Sequence, residues 1–395
     1  MGGAARIHSA EDARRLASKS LPWMVFDYID GAAGQETGLH RLRAAFESIC
    51  LRPRILTDVS QRALGTTLFG ARTERPFGIS PMGMCNLSAP GADLMLARLA
   101  ARDAVPLGVS TVASTPLEKL IETAEGHAWF QLYFSGDGTD TFKLAQRAQA
   151  AGYKTIVLTV DVAEVGRRPR ELRHGFTMPF RIGPRQFFDF AMHPRWSLAG
   201  LINGRPQMAN FLMDGYTFDR TESRARADWG TLEKLRAMWK GQFVVKGVLD
   251  VEDAQKLKTK GVDAIQVSSH GARQLESAPP AITALVNIRA AVGADFPLFY
   301  DSGLRSGEDV LKACALGADF TFFGRILQFA IAAAGEEGLL RLWDVLSQEL
   351  SIAMAQTGLC SLEDKNLHQA LLVDPTSHCR HLVSDAGAGA VHCPR

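Results

Sequence analysis

Short runs rich in β-branched and aromatic residues alternate with helical patterns along most of the chain, and this alternation limits the possible folds more than any other feature. Eight such runs span 75–80, 105–110, 128–133, 155–161, 242–247, 263–268, 297–302 and 319–324. They are almost continuously apolar, as expected for parallel strands that are buried on both faces. Eight alternating strand–helix units predict an α/β fold, a closed TIM (β/α)8 barrel over about 75–335.

One connection is too long for a single strand–helix unit. The chain between the fourth and fifth strands must contain an insertion, over about 165–228. An N-terminal helical segment precedes the barrel, one or two helices follow from about residue 336, and 383–395 is expected to be a flexible tail. The whole chain, 1–395, is predicted to form one domain.

The composition excludes several classes of protein. A formal net charge of +2 over 395 residues is too small to favour nucleic acid as a partner. The six cysteines lack CxxC pairs and metal-ligand spacing, which indicates reduced thiols in a cytoplasmic protein without a metal site. No apolar run approaches the roughly 18 residues of a membrane-spanning helix, and the N-terminus lacks the apolar region of a secretory signal.

Functional groups and glycine turns follow nearly every predicted strand. In a TIM barrel the C-terminal ends of the strands form the active site. A single polar residue there is more simply explained as a core group, but eight converging ends predict a site. In chain order these residues are Pro81, Met82, Gly83, Ser110, Gln131, Tyr133, Thr159, Asp161, Lys246, Ser268, Ser269, His270, Asp301, Gly324 and Arg325.

The last two strands carry a pattern typical of phosphate binding. Glycine lets backbone N–H groups approach an anion, and arginine binds it through paired hydrogen bonds. Barrels usually bind phosphate in these two loops, which favours a phosphate site over tight turns with surface arginines. The loops contain Asp301, Ser302, Gly303, Leu304 and Arg305 after the seventh strand, and Gly324 and Arg325 after the eighth.

The sixth strand runs into His270 and Arg273. Arginine can bind a substrate carboxylate while histidine accepts a neighbouring proton. Asp161 is placed to hydrogen-bond the imidazole. Lys246 is placed either to neutralise a developing anion or to form a Schiff base. Taken alone, His-x-x-Arg would not predict a catalytic site. Its position at the C-terminal end of a barrel strand favours one.

Between about Leu21 and Gly358 the sequence resembles the FMN-dependent L-2-hydroxy acid oxidases and dehydrogenases, which include glycolate oxidase, lactate oxidase, flavocytochrome b2 and mandelate dehydrogenase. The segments that carry the resemblance are LPWMVFDYIDGAAGQ, FQLY, LTVD, VVKG, SSHGARQLE, DSGLRSGEDVLKACALGAD and FFGR. Mandelate dehydrogenases look most similar, because HPRWSL and PQMANF occur in the insertion and DSG follows the seventh strand. The resemblance implies FMN as the cofactor and oxidation of an L-2-hydroxy acid.

The resemblance also implies a role for each residue. His270 would be the base and Asp161 its support. Tyr133 would bond the substrate hydroxyl, and Lys246 would lie near N1 and O2 of the flavin. The substrate carboxylate would be bound by Tyr28, Arg168 and Arg273. The implied FMN contacts are Pro81, Met82, Gly83, Ser110, Gln131 and Thr159 for the ring and ribityl parts, and Asp301, Ser302, Gly303, Leu304, Arg305, Gly324 and Arg325 for the ribityl and phosphate end.

Three positions bear on the substrate and the electron acceptor. Gly83 stands where many oxidases of the family carry alanine, which favours a dehydrogenase. Val112 stands where glycolate oxidase has tryptophan, which favours an aromatic or long side chain on the substrate. Glu164 stands where several members have a basic or neutral residue, which leaves the substrate open.

The prediction is oxidation of an aromatic, mandelate-like 2-hydroxy acid. Direct hydride transfer and a carbanion route both fit the residues. One alternative is an oxidase of lactate or glycolate that uses oxygen. Another is a Schiff-base aldolase or isomerase with Lys246 as its amine and a phosphorylated substrate. A non-enzymatic binding barrel is disfavoured because His270, Asp161 and Lys246 are all present.

The insertion is basic and aromatic, with eight arginines between Arg167 and Arg205. Such a segment can rest on an anionic membrane through 175–215 and pass electrons to a quinone. A lid or a subunit contact explains the same pattern equally well, so quinone and oxygen both stay open as acceptors. The expected location is the cytoplasm, and the alternative is a peripheral position on the inner face of the membrane. The resemblance further implies a homo-oligomer, a tetramer.

Overall fold

In the computed structural model the described residues are 3–176, 182–204, 206–212, 224–364 and 366–372. Eight parallel strands form a closed barrel, and the eighth strand pairs with the first. They are β1 (Phe77–Met82), β2 (Leu107–Ser110), β3 (Ala128–Tyr133), β4 (Thr155–Thr159), β5 (Gln242–Val248), β6 (Ala264–Val267), β7 (Leu298–Tyr300) and β8 (Phe320–Phe323). The predicted TIM barrel is confirmed, and each predicted strand overlaps one barrel strand.

Fourteen α-helices accompany the barrel in the described part of the chain. They are α1 (Ala10–Ser20), α2 (Trp23–Asp30), α3 (Thr37–Glu47), α4 (Ala92–Asp103), α5 (Leu117–Thr123), α6 (Thr139–Ala150), α7 (Pro169–Arg173), α8 (Pro184–Met192), α9 (Pro194–Asn203), α10 (Trp229–Met238), α11 (Val251–Thr259), α12 (Ala281–Val292), α13 (Gly307–Ala315) and α14 (Arg325–Gln356). Ser9, Asp228, Asp250 and Ser306 cap helices α1, α10, α11 and α13 through their side chains, as their residue types favour.

The N-terminal end of the barrel is filled by aromatic side chains. A hairpin of two short strands, Thr66–Leu68 and Ala71–Thr73, lies across this end. The ring of Phe69 in its turn lies 5.7 Å from Trp129 and 5.4 Å from Phe299, centroid to centroid. The opposite end is left as the open mouth, where the chemistry of such barrels is found.

The long connection between β4 and β5 contains α7, α8 and α9, each beginning with a proline in its first turn. Proline fits there because the first N–H groups of a helix have no intrahelical partner. The predicted tail, 383–395, and parts of the insertion lie outside the described residues. Among the described helices, none is long and apolar enough to cross a membrane.

Candidate active site

A pocket of about 240 Å³ opens at the C-terminal ends of the barrel strands. Most of the residues predicted from the sequence line it, namely Tyr28, Pro81, Met82, Gly83, Tyr133, Arg168, Lys246, His270, Arg273, Asp301, Ser302, Gly303, Leu304, Arg305, Gly324 and Arg325. The others, Ser110, Gln131, Thr159, Asp161, Ser268 and Ser269, do not line it. Ser110 Oγ accepts a hydrogen bond from Val112 N–H and donates to Gln131, and Thr159 pairs in register with Tyr133. Asp161, Ser268 and Ser269 bond to the lining residues His270, Lys246 and Ser302, respectively. The structure therefore brings together side chains from all eight strand ends and from α2.

His270 lies between an acid and a phenol. Its Nδ1 is 3.0 Å from Oδ1 of Asp161, and its Nε2 is 3.5 Å from the hydroxyl oxygen of Tyr133. A carboxylate beside Nδ1 favours the tautomer with the proton on Nδ1, which leaves Nε2 as an acceptor facing the pocket. Burial, and next the charge of Asp161, raises the pKa of Tyr133, so its hydroxyl stays protonated.

The turn that carries His270 has an uncommon backbone. His270 (φ 55°), Ala272 (φ 61°) and Ser302 (φ 90°) are all non-glycine residues in the left-handed region. Such residues persist only where their surroundings hold them, and they cluster at functional sites. Here hydroxyl groups hold the turn, because His270 N–H donates to Ser268 Oγ at 3.0 Å and Gly271 N–H donates to Ser302 Oγ at 3.1 Å.

Arg168 and Arg273 lie on the same side of the mouth as Tyr28. The Arg273 guanidinium carbon lies 5.4 Å from the centre of the Tyr28 ring, and its Nη1 donates to the carbonyl of Gly31 at 2.7 Å. The Tyr28 hydroxyl donates to the carbonyl of Gly83 at 3.4 Å. Two guanidinium groups and a phenol are thus grouped as a carboxylate-binding site requires.

Lys246 is buried at the end of β5 and pairs with an acid of β7. Its Nζ donates to Ser268 Oγ at 2.7 Å and lies 3.1 Å from Oδ2 of Asp301. Burial alone would raise the pKa of Asp301, but the Lys246 charge and the hydroxyls of Ser268 and Ser302 lower it below its usual value. An ammonium group held by an ionised carboxylate is a fixed positive charge. It lacks the lone pair that a Schiff-base amine requires.

Arg305 and Arg325 place positive charge at the far end of the pocket. Arg325 donates to the backbone carbonyls of Asp30 and Gly271, and no carboxylate of the described residues pairs with it. Burial, then the charges of Arg273 and Arg305, lowers the pKa of Arg325 to about 9. Burial likewise lowers the pKa of Arg305. Arg305 and Arg325 are only partly exposed, and neighbouring cations of this kind indicate a binding site for an anion.

The barrel and its mouth define a class of enzyme that oxidises 2-hydroxy acids with a flavin. The FMN-dependent dehydrogenase family matches residues 17–372, and the chain belongs to that family. An L-lactate dehydrogenase of Pectobacterium atrosepticum is 36% identical over 368 residues, which cover 91% of this chain and 95% of that protein. The protein is therefore an enzyme that uses FMN to oxidise a 2-hydroxy acid.

Solved structures agree with this assignment. The monotopic membrane protein (S)-mandelate dehydrogenase has a TM-score of 0.88 at 34% identity, over 93% of this chain and 100% of that one. Mandelate oxidase with benzoyl-formic acid has a TM-score of 0.78 at 34% identity, over 92% of this chain and 97% of that one. The resemblance seen in the sequence is confirmed.

The donors of the pocket fit FMN. Gln131 Nε2 and Thr159 Oγ1 are buried without a hydrogen-bond partner among the described residues, at strand ends beneath the pocket. Buried polar atoms are normally satisfied, so both indicate a polar ligand. The Arg305 and Arg325 guanidinium groups supply the charge that a terminal phosphate requires. Buried polar atoms without a partner at one end and guanidinium groups at the other fit a flavin mononucleotide.

Sequence reasoning missed two charged residues of the mouth. Glu171 is buried beside Arg168 and Arg273, and its only sequence signal was the Arg-x-x-Glu spacing, which places two side chains on one helical face. Arg224 lines the pocket with its guanidinium carbon 5.4 Å from the centre of the Tyr133 ring. Nothing in its local sequence indicated that position, because it lies near the end of the insertion and not directly after a strand.

Proposed function

We propose that the enzyme is a dehydrogenase of aromatic L-2-hydroxy acids in which His270 is the catalytic base. The observation that carries this proposal is the line of Asp161, His270 and Tyr133 beside Arg168 and Arg273 in one pocket. The arginines and the Tyr28 hydroxyl bind the substrate carboxylate. That contact holds the 2-hydroxyl between Tyr133 and Nε2 of His270.

The proton is moved by this chain's own residues. Nε2 of His270 accepts the proton released in the reaction, and Asp161 stabilises the imidazolium that results. Lys246 would hold a positive charge beside the flavin ring, and Arg305 and Arg325 would hold the phosphate. FMN, when bound there, would supply a two-electron acceptor. The further proposed contacts of FMN are Pro81, Met82, Gly83, Ser110, Gln131, Thr159, Asp301, Ser302, Gly303, Leu304 and Gly324.

An apolar wall supports an aromatic substrate. Val112, Val162, Val165, Phe176 and Met208 line the same pocket as the candidate base. Apolar side chains that face a few convergent polar groups are typical of sites for apolar ligands. The mandelate dehydrogenase and mandelate oxidase structures, the latter with benzoyl-formic acid, add support.

A second candidate function is oxidation of a short-chain acid such as lactate, favoured by the L-lactate dehydrogenase relative. Anaerobic bleaching of the bound flavin by mandelate, 4-hydroxymandelate, lactate and glycolate separates the two. We expect mandelate or 4-hydroxymandelate to bleach it with the highest kcat/KM, and faster bleaching by lactate or glycolate would replace the first proposal with the second. Comparing reoxidation by oxygen and by a soluble quinone then separates an oxidase from a dehydrogenase.

We also propose that the insertion lies on an anionic membrane surface and that the acceptor is a quinone. Ile182, Phe187, Phe188, Met192, Leu198, Leu201 and Ile202 on or beside α8 and α9 are exposed, together with Arg185 and Arg195. An apolar face flanked by arginines is typical of interfacial helices. A cavity of about 1060 Å³ opens beside these residues, lined by Leu94, Phe190, Trp196 and Leu201 among others, and its mainly apolar lining would suit a quinone.

Sedimentation with lipid vesicles tests the membrane proposal. We expect the enzyme to sediment with vesicles that contain anionic lipid and to be released by high salt, because part of the attraction is electrostatic. Equal recovery in the supernatant with anionic, neutral and no vesicles would contradict the proposal. A structure similar to a monotopic membrane protein, (S)-mandelate dehydrogenase, supports it.

Two further proposals concern organisation. We propose that 1–395 forms one FMN-binding domain and that four copies assemble into a tetramer, which is common in the family. Light scattering of the flavin-loaded enzyme would give the mass of four chains. If the exposed face of α8 and α9 is a subunit contact instead, replacing Phe188 and Ile202 by serine would reduce that mass without changing vesicle binding.

A further inference from the structure

Glu171 is a buried acid at the mouth of the pocket that the proposed reaction does not use. It is 5% exposed and lies on α7, one turn after Arg168. Its Oε1 lies 2.7 Å from Nε of Arg168 and accepts a hydrogen bond from Nη2 of Arg273 at 3.2 Å. A single carboxylate oxygen thus contacts both of the arginines that are proposed to bind the substrate carboxylate.

The helix that carries Glu171 is fixed against the helix that carries Tyr28. Arg170 of α7 binds two acids of α2, with Nη2 2.7 Å from Oδ1 of Asp27 and Nη1 2.9 Å from Oδ2 of Asp30. Directly after α7, Phe176 N–H donates to the carbonyl of Glu171 at 2.9 Å, and the Phe176 ring stacks 4.5 Å from that of Tyr28. The position of the Glu171 carboxylate is therefore set by the contacts that α7 and Phe176 make with α2.

The charge of Glu171 matters as much as its position. Two guanidinium groups in a poorly solvated pocket repel each other. A carboxylate that contacts both reduces the free-energy cost of that repulsion. Arg168, Arg273 and Glu171 together carry one net positive charge. That charge matches one substrate carboxylate. Without the acid, the same arginines would present two positive charges and would suit a dianion better.

We propose that Glu171 is a positioning and specificity-determining residue. It orients Arg168 and Arg273 toward the substrate carboxylate, and it limits the charge of the clamp so that the enzyme selects monocarboxylic over dicarboxylic 2-hydroxy acids. The inference rests on the proposed function, because it assumes that these arginines bind the substrate carboxylate.

Two substitutions separate the two roles. Glu171→Gln keeps an acceptor oxygen in nearly the same place and removes the charge. Glu171→Ala removes both the acceptor and the charge. The rates to measure are those of anaerobic bleaching of the bound flavin by mandelate, or by the best acid of the substrate panel, and by L-malate as the dicarboxylic probe.

We expect Glu171→Gln to raise the malate-to-mandelate ratio of the second-order rate constants for flavin bleaching by roughly tenfold, as for the loss of one charge-assisted contact. We expect Glu171→Ala to lower the maximal bleaching rate with mandelate by roughly tenfold more than Glu171→Gln does, because the arginines lose their orientation. Glu336→Gln is the matched control. Its carboxylate pairs with Arg98 at the surface, so neither quantity should change.

Flavin content and thermal unfolding show whether each variant is folded. An unchanged malate-to-mandelate ratio in flavin-loaded Glu171→Gln would overturn the inference, as would equal losses with both acids, which indicate a purely structural role. If Glu171→Ala does not retain flavin, the ratio in Glu171→Gln alone decides. Failure of wild-type flavin to bleach with any 2-hydroxy acid would instead contradict the proposed function.

Discussion

The barrel buries its apolar side chains, whereas the insertion leaves many of its apolar side chains exposed. Ile265 of β6 and Val245 of β5 are completely buried, whereas Leu201 and Ile202 of α9 are 80% and 81% exposed. No residue of α9 is buried. The barrel gains its stability within the chain, which fixes the strand ends on which the active site is built. The exposed apolar side chains of α8 and α9 contribute no hydrophobic stabilisation unless another surface covers them.

The insertion is itself divided. α7 is tied to α2 by the ion pairs of Arg170 and contributes Glu171 to the mouth. α9 is joined to the loop after β1 by a hydrogen bond of 2.8 Å from Trp196 Nε1 to the carbonyl of Leu87, while several apolar side chains of α8 and α9 stay exposed. One part of the same connection therefore contacts the proposed carboxylate-binding arginines, and the other part exposes apolar side chains.

The sharpest difference should be in turnover. Replacing His270 by glutamine removes the proposed base from the barrel mouth, so we expect kcat to fall by roughly 10²–10⁴-fold, the usual contribution of a general base. His127→Gln is the matched control, because His127 precedes β3 at the opposite end of the barrel. Bleaching of bound flavin by the substrate is the measurement. A loss below threefold in His270→Gln would show that the base lies elsewhere.

The second largest difference is expected in the free energy of unfolding, which should depend on apolar residues of the barrel more than on those of the insertion. Ile265→Ala removes buried methyl groups from β6 and should reduce the free energy of unfolding by about 2–5 kcal/mol. Ile202→Ala changes an exposed side chain of α9 and should alter it by less than about 0.5 kcal/mol. Denaturant unfolding in the absence of lipid measures both. Similar losses would mean that the face of α9 is buried against another part of the protein.

The phosphate end of the barrel should be sensitive to both substitution and pH. Arg325→Gln should weaken FMN binding by roughly 10- to 100-fold through loss of a charge-assisted contact, whereas Arg98→Gln at the surface should not. FMN binding is measured by fluorescence quenching.

The same arginine gives the direction of the pH dependence. Its pKa of about 9 belongs to the flavin-free pocket, so it is charged below that pH and neutral above it. A phosphate binds the charged form, so affinity should fall as pH rises above about 9. This fall should be absent in Arg325→Gln, and an equal fall in both proteins would assign it to another group.

The smallest effect is expected at Gly83, where a methyl group would lie 2.5 Å from Cγ2 of Val112. Gly83→Ala should therefore destabilise the enzyme by about 1 kcal/mol, since Val112 must turn aside. Gly83→Ala combined with Val112→Ala should recover that loss, which thermal unfolding would show. No recovery in the double variant would mean that another neighbour limits the space at this position.

The strands and most of the site were predictable because their signals are local. The run 128–133 coincides with β3, and a buried parallel strand can be recognised from its own apolar residues. Closure of the barrel then brings the strand ends together, so His270 and Asp161 could be paired from their positions in the sequence. The ion pair of Lys246 with Asp301 joins two residues already predicted to line the site.

The unpredicted features all depend on contacts between distant segments. Glu171 meets Arg273 only because α7 packs beside the turn after β6. The left-handed backbone of His270 and Ala272 has no signal in residue type, since neither is glycine. Phe69 closes the barrel floor only once the strands have formed.

The sequence alone determined the closed barrel, the positions of the eight strand ends and the family to which the enzyme belongs, because alternation and short motifs act over a few residues. Only the tertiary structure decided which charges meet, since a contact between side chains depends on the packing of whole helices. The contact of Glu171 with Arg168 and Arg273, which sets the net charge of the proposed carboxylate site, depends on that packing.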